Sequence, residues 1–217
     1  MSSTSSPLIL VTGATGKVGR TFIERLLGAP AFASWRVRAL CHQRLLPPHE
    51  RVESVRGAMQ DRDSVNLALA GVTHVLHLAT CKETPEDVMD VAVKGLFWLL
   101  EGCRVSATFR QFVLIGGDAS VGHFHYPHPV PVVETQPHSA YPGCYALSKA
   151  LEEAMLQQYY IQYDFNGCCL RAPWIMEKDD LRAHLTFAPD VFGAPRWCDV
   201  VGPEAAAEYE ARAGSSR

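Results

Sequence analysis

Residues 12 to 19 read Thr-Gly-Ala-Thr-Gly-Lys-Val-Gly, with glycines at intervals of three, and no other segment constrains the fold so tightly. The segment follows a short apolar run, Leu8 to Thr12. It leads into apolar residues at helical spacing (Val18, Phe22, Ile23, Leu26, Leu27) that Gly28 and Pro30 bring to a stop. A strand that turns tightly into a helix through glycines aims several backbone N–H groups at one spot with no Cβ atoms in the way, and such a spot cradles a phosphate. A Walker loop is excluded, because Gly16-Lys17 is followed by Val18 rather than Ser or Thr and Val11 stands where the first glycine would be needed.

Apolar runs then alternate with helix-length stretches. Strands are expected over 35–40, 52–55, 72–79, 112–115 and 165–170, with helices over 61–69, about 85–104 and 145–163. This is the pattern of an α/β fold, a doubly wound parallel sheet with helices on both faces. A glycine trio at its first strand–helix turn is expected to hold a dinucleotide. Residues 118–144 carry five prolines and four histidines and read as a long loop of functional use. Beyond Pro173 the regularity fades into a short helix over 179–187 and an Ala/Glu-rich one over 204–212. The expected division is therefore a binding domain over 1–173 and a reduced C-terminal region over 174–217.

The chain has 217 residues, 47% apolar and 20% charged, with 20 basic and 23 acidic residues and a net charge of −3. No basic block is present, which argues against nucleic acid as a partner. The start lacks a basic n-region and the first apolar run is too short for a bilayer, so the expectation is a cytoplasmic protein with no membrane partner. Seven scattered cysteines without C-x-x-C spacing read as reduced and mostly buried, with Cys144 the one placed for oxidation-sensitive chemistry. His123, His125 and His128 lack a ligand partner at zinc spacing and read as a loop mouth, so no metal is expected. Trp98, Trp174 and Trp197 read as packing residues, with Trp174 also within reach of a ligand.

The choice of dinucleotide falls to the end of the second strand, Leu40-Cys41-His42-Gln43-Arg44, where a carboxylate would hold a ribose 2′-OH. There is none, and Arg44 with His42 suits a 2′-phosphate, so NADP is favoured with NAD as second choice. Downstream, Tyr145-Ala-Leu-Ser-Lys149 sets a phenol and an ammonium on one helix face. Bringing a phenol from a pKa near 10 to neutrality takes about 4 kcal/mol, and a lysine has the right sign to supply it.

Together, Thr12 to Gly19, His77-Leu-Ala-Thr80, Tyr145-x-x-x-Lys149 and Leu170-Arg-Ala-Pro173 resemble the extended short-chain dehydrogenase/reductases of the NAD(P)-dependent epimerase/dehydratase type, over roughly residues 7 to 178. The resemblance implies a Rossmann-like sheet, a bound NAD(P), a small-molecule substrate that is often a nucleotide sugar, and homodimerisation through helices. It implies that Gly13, Gly16 and Gly19, with Thr15, Lys17 and Val18, line the pyrophosphate, and that Leu78, Ala79 and Thr80 run beside the cofactor. Tyr145 would be the acid/base of hydride transfer at the nicotinamide, and Lys149 would bind the ribose and lower the phenol's pKa. The usual Ser or Thr after the fifth strand falls at Asp118, with Ser120 as the alternative on the same face if the chain stays extended. Ala58 and Ala92 replace an acid and an asparagine of the family pattern, and the region beyond Pro173 is short for the family. These departures carry a rival reading from another class: a non-catalytic NADP-binding sensor or scaffold, or an inactive truncated paralogue.

Overall fold

The computed structural model describes residues 6–81, 83–122, 126, 127, 131–173 and 175, with Pro203, Glu204 and Ala207. The chain divides into two compact units, Met1–Pro173 and Trp174–Arg217. In the first, six strands form one sheet in the order β3-β2-β1-β4-β5-β6, every neighbouring pair parallel. They are β1 (Leu8–Thr12), β2 (Arg36–Cys41), β3 (Val52–Arg56), β4 (His74–His77), β5 (Gln111–Gly117) and β6 (Gly167–Ala172). The chain winds outward from β1 to β3 and crosses back to β4, so the order reverses between β1 and β4. A crevice at the carboxyl ends of these two strands is where such sheets bind ligands.

Alternation along the strands loads both faces. Ile9, Val11, Val37, Ala39 and Leu76 pack with Ile23 and Leu26 of α1 (Lys17–Gly28) on one side. Leu10, Leu40, Val75, Phe112 and Leu114 pack on the other with α2 (Arg62–Leu69), α4 (Gly95–Arg104) and α5 (Cys144–Tyr163). The expected doubly wound α/β fold is present, Rossmann-like with helices on both faces. Asp61 caps α2 by accepting from the Asp63 and Ser64 amides. In place of one helix over 85–104, a short α3 (Pro85–Val88) passes through a π-helical turn, Met89–Lys94, into α4. The extra residue of that turn re-aims the helix where it packs against α5.

The chain does not stay extended after β5. It closes into a 3-10 turn at Asp118–Ser120, which removes the basis for setting Asp118 and Ser120 on one face. The imidazoles at 123, 125 and 128, Trp174, Trp197, Cys198 and the short helix over 179–187 lie outside the described residues. Pro203, Glu204 and Ala207 are helical. No helix among the described residues is long and apolar enough to cross a membrane.

Candidate functional site at the carboxyl end of the sheet

The glycine turn is built of backbone against backbone. Gly13 holds φ at +65°, and a Cβ there would stand 2.8 Å from the Leu78 carbonyl carbon and the Ala79 nitrogen. A Cβ on Gly19 would stand 2.5 Å from the Gly13 oxygen. Only glycine fits either place. Gly16 donates to the Gly13 carbonyl at 3.0 Å and caps α1, whose first turn has neither a side-chain cap nor an acidic residue. The N–H groups of its first turn present positive potential to an anion. Thr15, Gly16, Lys17 and Val18 all reach the surface.

Thr12 locks this turn to β4. Its hydroxyl accepts from the Leu78 and Ala79 amides at 3.1 Å each and lies 2.8 Å from His77 Nδ1. With two amide donors already on it, the hydroxyl directs its own proton to Nδ1, which leaves the His77 proton on Nε2. The ring is buried and faces Lys149, and burial first, then that ammonium, push its pKa down to about 3. His77 is therefore neutral. Thr80 is exposed, its hydroxyl 3.5 Å from the Cys81 carbonyl. Across the turn, His42 and Arg44 lie exposed just past β2, beside the end of β1 that the sheet pairs with it.

Tyr145 and Lys149 rise from the first turns of α5 toward the end of β5. From the place a Cβ on Gly117 would occupy, the Tyr145 hydroxyl is 3.8 Å away and Lys149 Cγ 3.7 Å. The helix start is fastened from outside: Glu83 accepts from the Tyr145 amide at 3.2 and 3.3 Å. Gly143, at φ +144°, leaves room for that carboxylate, since a Cβ there would stand 2.7 Å from Glu83 Oε1. The Lys149 ammonium lies 5.7 Å from the centre of the Tyr145 ring. It does not lower the phenol. Burial first, then the carboxylates of Glu152, Asp118 and Glu83, push Tyr145 up to about 12. Lys149 donates to Glu152 Oε2 at 2.9 Å and reaches the Ile115 carbonyl at 3.4 Å, so its charge is matched by a carboxylate at short range.

Of the two candidates after β5, Ser120 is withdrawn from the site. Its hydroxyl is fully buried and directed at the Gly117 carbonyl (2.9 Å) and Glu153 Oε1 (2.8 Å). Asp118, half-buried, lines a hollow of ≈ 590 Å³ with Val121, Val132, Val133, Leu170 and Arg171. In the wall of this hollow, Glu153 accepts from Arg171 Nε at 2.9 Å and lies 3.0 Å from His138 Nε2. Arg171 also donates to the carbonyls of Glu134 (3.2 Å) and Gln136 (3.5 Å), so one arginine ties β6, α5 and the long loop together. These partners outweigh burial and hold the Glu153 carboxyl below its usual range.

Sequence reasoning left out Glu83, His138, Glu152 and Glu153, and gave Thr12 and Arg171 no role of their own. The signal for the glutamates was in view: Glu152 and Glu153 follow Lys149 by three and four on a helix whose other buried positions are mostly uncharged. Among the described cysteines, Cys41 and Cys103 are buried and Cys168 is exposed, so fewer are buried than expected. Burial and the neighbouring Glu83 push the Cys144 thiol up, away from the reactive thiolate. No cluster of three or more His, Cys, Asp or Glu among the described residues could hold a metal ion.

The model of the NAD dependent epimerase/dehydratase family matches residues 9–176, and the chain belongs to this family. Among individual proteins, it is 29% identical over 158 residues to uronate dehydrogenase of Agrobacterium fabrum, covering 71% of this chain and 56% of that one. It is 26% identical over 133 residues to dihydroflavonol 4-reductase of Hordeum vulgare, covering 56% of this chain and 38% of that one. A solved short-chain dehydrogenase/reductase superfamily protein from Agrobacterium tumefaciens, with bound NAD, is 28% identical and superposes with a TM-score of 0.64, over 76% of this chain and 48% of the other. The chain thus spans about half the length of these relatives or less.

Proposed function

We propose that the chain binds a nicotinamide dinucleotide across the ends of β1 and β4 and transfers hydride between it and a carbonyl or alcohol substrate, as an oxidoreductase or epimerase/dehydratase-like enzyme. The supporting observation is that His77 joins the two halves of the site. Its ring is bonded to Thr12 beneath the glycine turn and lies within the field of Lys149 beside Tyr145. In this reading Gly13, Gly16 and Gly19 admit the pyrophosphate, and the Ala79 backbone borders the nicotinamide end. The ring supplies or accepts the hydride when bound. Tyr145 exchanges the proton with the substrate oxygen, Lys149 orients the ribose, and Asp118 faces the substrate from the hollow. The protonated phenol suits donation to a carbonyl oxygen, the direction of reduction.

NADP is the proposed form, with NAD as second choice, on the strength of exposed Arg44 and His42 and the absence of an acid at the end of β2. A nucleotide sugar is one candidate substrate, since the comparison structures include a Thermus thermophilus UDP-glucose 4-epimerase in complex with NAD. A homodimer through α4 and α5 belongs to the same reading. Leu147 and Ile161, four turns apart on one stripe of α5, are half or more exposed, as is Met89 on the neighbouring π turn to nearly the same degree.

One observation favours the rival sensor reading: the phenol is raised rather than lowered and its lysine is paired elsewhere. Tyr145→Phe separates the two. In an enzyme, turnover of NADPH with an accepted carbonyl falls by about 1,000-fold while NADPH affinity stays within about threefold. Equal turnover in the variant refutes the acid/base role. NADPH binding with no turnover of any carbonyl or sugar nucleotide in the wild type favours the sensor.

A further inference from the structure

Glu152 is fully buried, yet it is a carboxylate on the helix face that carries Tyr145 and Lys149. One of its oxygens holds the Lys149 ammonium at 2.9 Å, and the other, Oε1, has no hydrogen-bond partner among the described residues. A half-satisfied buried carboxylate is costly unless its counter-charge stays in place. The groups that face it are Lys149, Tyr145 and Glu153 on α5, Cys169 from β6 and Cys81 from the loop after β4. His77 senses the same ammonium from β4 and is held neutral. Lys149 is thus the only cation in direct contact with Glu152 among the described residues.

We propose that Glu152 is a positioning residue that holds Lys149 off the phenol in the unliganded chain, and that it takes up a proton when Lys149 is drawn to a bound dinucleotide. The proposal rests on the reading of Tyr145 and Lys149 as the redox pair. While the pair is closed, the carboxylate cancels the field that the ammonium would otherwise exert on Tyr145. When Lys149 turns to the ribose, Glu152 is left buried with no counter-charge, and a proton from solvent neutralises it. The lysine's field is thereby delivered to the phenol only in the loaded site, and cofactor affinity weakens as pH rises.

The test has two arms on the full chain. In the first, the Tyr145 phenol is titrated without ligand by ¹³C NMR of labelled tyrosine, its signal assigned with Tyr145→Phe. Glu152→Gln keeps the side-chain shape and Glu152→Met removes the polar group. In each, the phenol is expected to titrate at least about one pH unit lower than in the wild type, a tenfold gain in phenolate. An unmoved phenol in a variant with native near-UV circular dichroism overturns the proposal. In the second, NADPH binding is measured by calorimetry in phosphate and in Tris, whose ionisation enthalpies differ. The wild type is expected to take up close to one proton per dinucleotide and Glu152→Gln close to none. No uptake by the wild type, or equal uptake by both, overturns the proposal even if the variants fold poorly. A chain that binds neither NADPH nor NADH instead breaks the reading of the glycine turn, and the phenol titration alone then decides the role of Glu152.

Discussion

The two sides of the crevice are made of different material. On the β1 side, Gly13, Gly16 and Gly19 lie against the backbone of 78–79, with one hydroxyl and one neutral imidazole beneath. On the α5 side, Glu83, Asp118, Glu152 and Glu153 crowd around Tyr145, Lys149, Arg171 and His138. In the proposed reading the first side meets an anion through fixed dipoles that pH does not alter, so its selectivity is steric. The second is a set of coupled charges in which each group's state depends on its neighbours'. Binding and chemistry are therefore separable here in a way that single substitutions can expose.

The sharpest break falls at Gly13. Gly13→Val places a branched side chain into the backbone of 78–79 at a positive φ, and NADPH affinity by calorimetry is expected to fall by at least about 100-fold. The pH profile of the α5 charges should survive wherever the variant remains folded. Retained affinity would mean that the dinucleotide does not sit on this turn.

Next in size is an acid sensitivity of the backbone side that belongs to folding rather than to the site. The folded pKa of His77 is about 3, below that of an unfolded histidine near 6.5, so between these values the unfolded chain binds more protons than the folded one. Stability contributed by the neutral ring is full above pH ~6.5 and is lost, by about 1.4 kcal/mol per pH unit, as pH falls toward 3. Urea denaturation over the acid range should show this slope in the wild type and a flatter one in His77→Gln. Equal slopes would assign acid sensitivity to the carboxylates on the other side. The smallest effect concerns Arg44. Arg44→Ala is expected to weaken NADPH by about tenfold and leave NADH unchanged, read from the two dissociation constants.

The same contrast explains what could be read from the chain. The cradle was legible because its cause is local: three glycines in eight residues admit few backbones, and the run Leu8–Thr12 before them fixes the strand. The strands and most helices followed from periodicity, since both faces of a parallel sheet must be buried. Tyr145 and Lys149 were legible as a spacing, but their electrostatics were not. The state of Lys149 depends on Glu152, and the helix start on Glu83, a residue 62 positions earlier. The surroundings of Ser120 were illegible for a related reason. The backbone after β5 closes into a turn, and the Ser120 hydroxyl then finds the buried acceptor Glu153, which belongs to another element.

The clasp between Glu83 and the start of α5 sets how change propagates through this part of the molecule. The Tyr145 amide, in the first turn of α5, is held by a carboxylate from the segment before α3, with a glycine at 143 that lets it in. A side chain at 143 would collide with the Glu83 carboxylate, so residues 83 and 143 are bound together in the geometry of this clasp. A remodelled segment before α3 shifts the height of the phenol even when every residue of α5 is kept, so transplanting this helix into a related scaffold requires carrying the loop along with it.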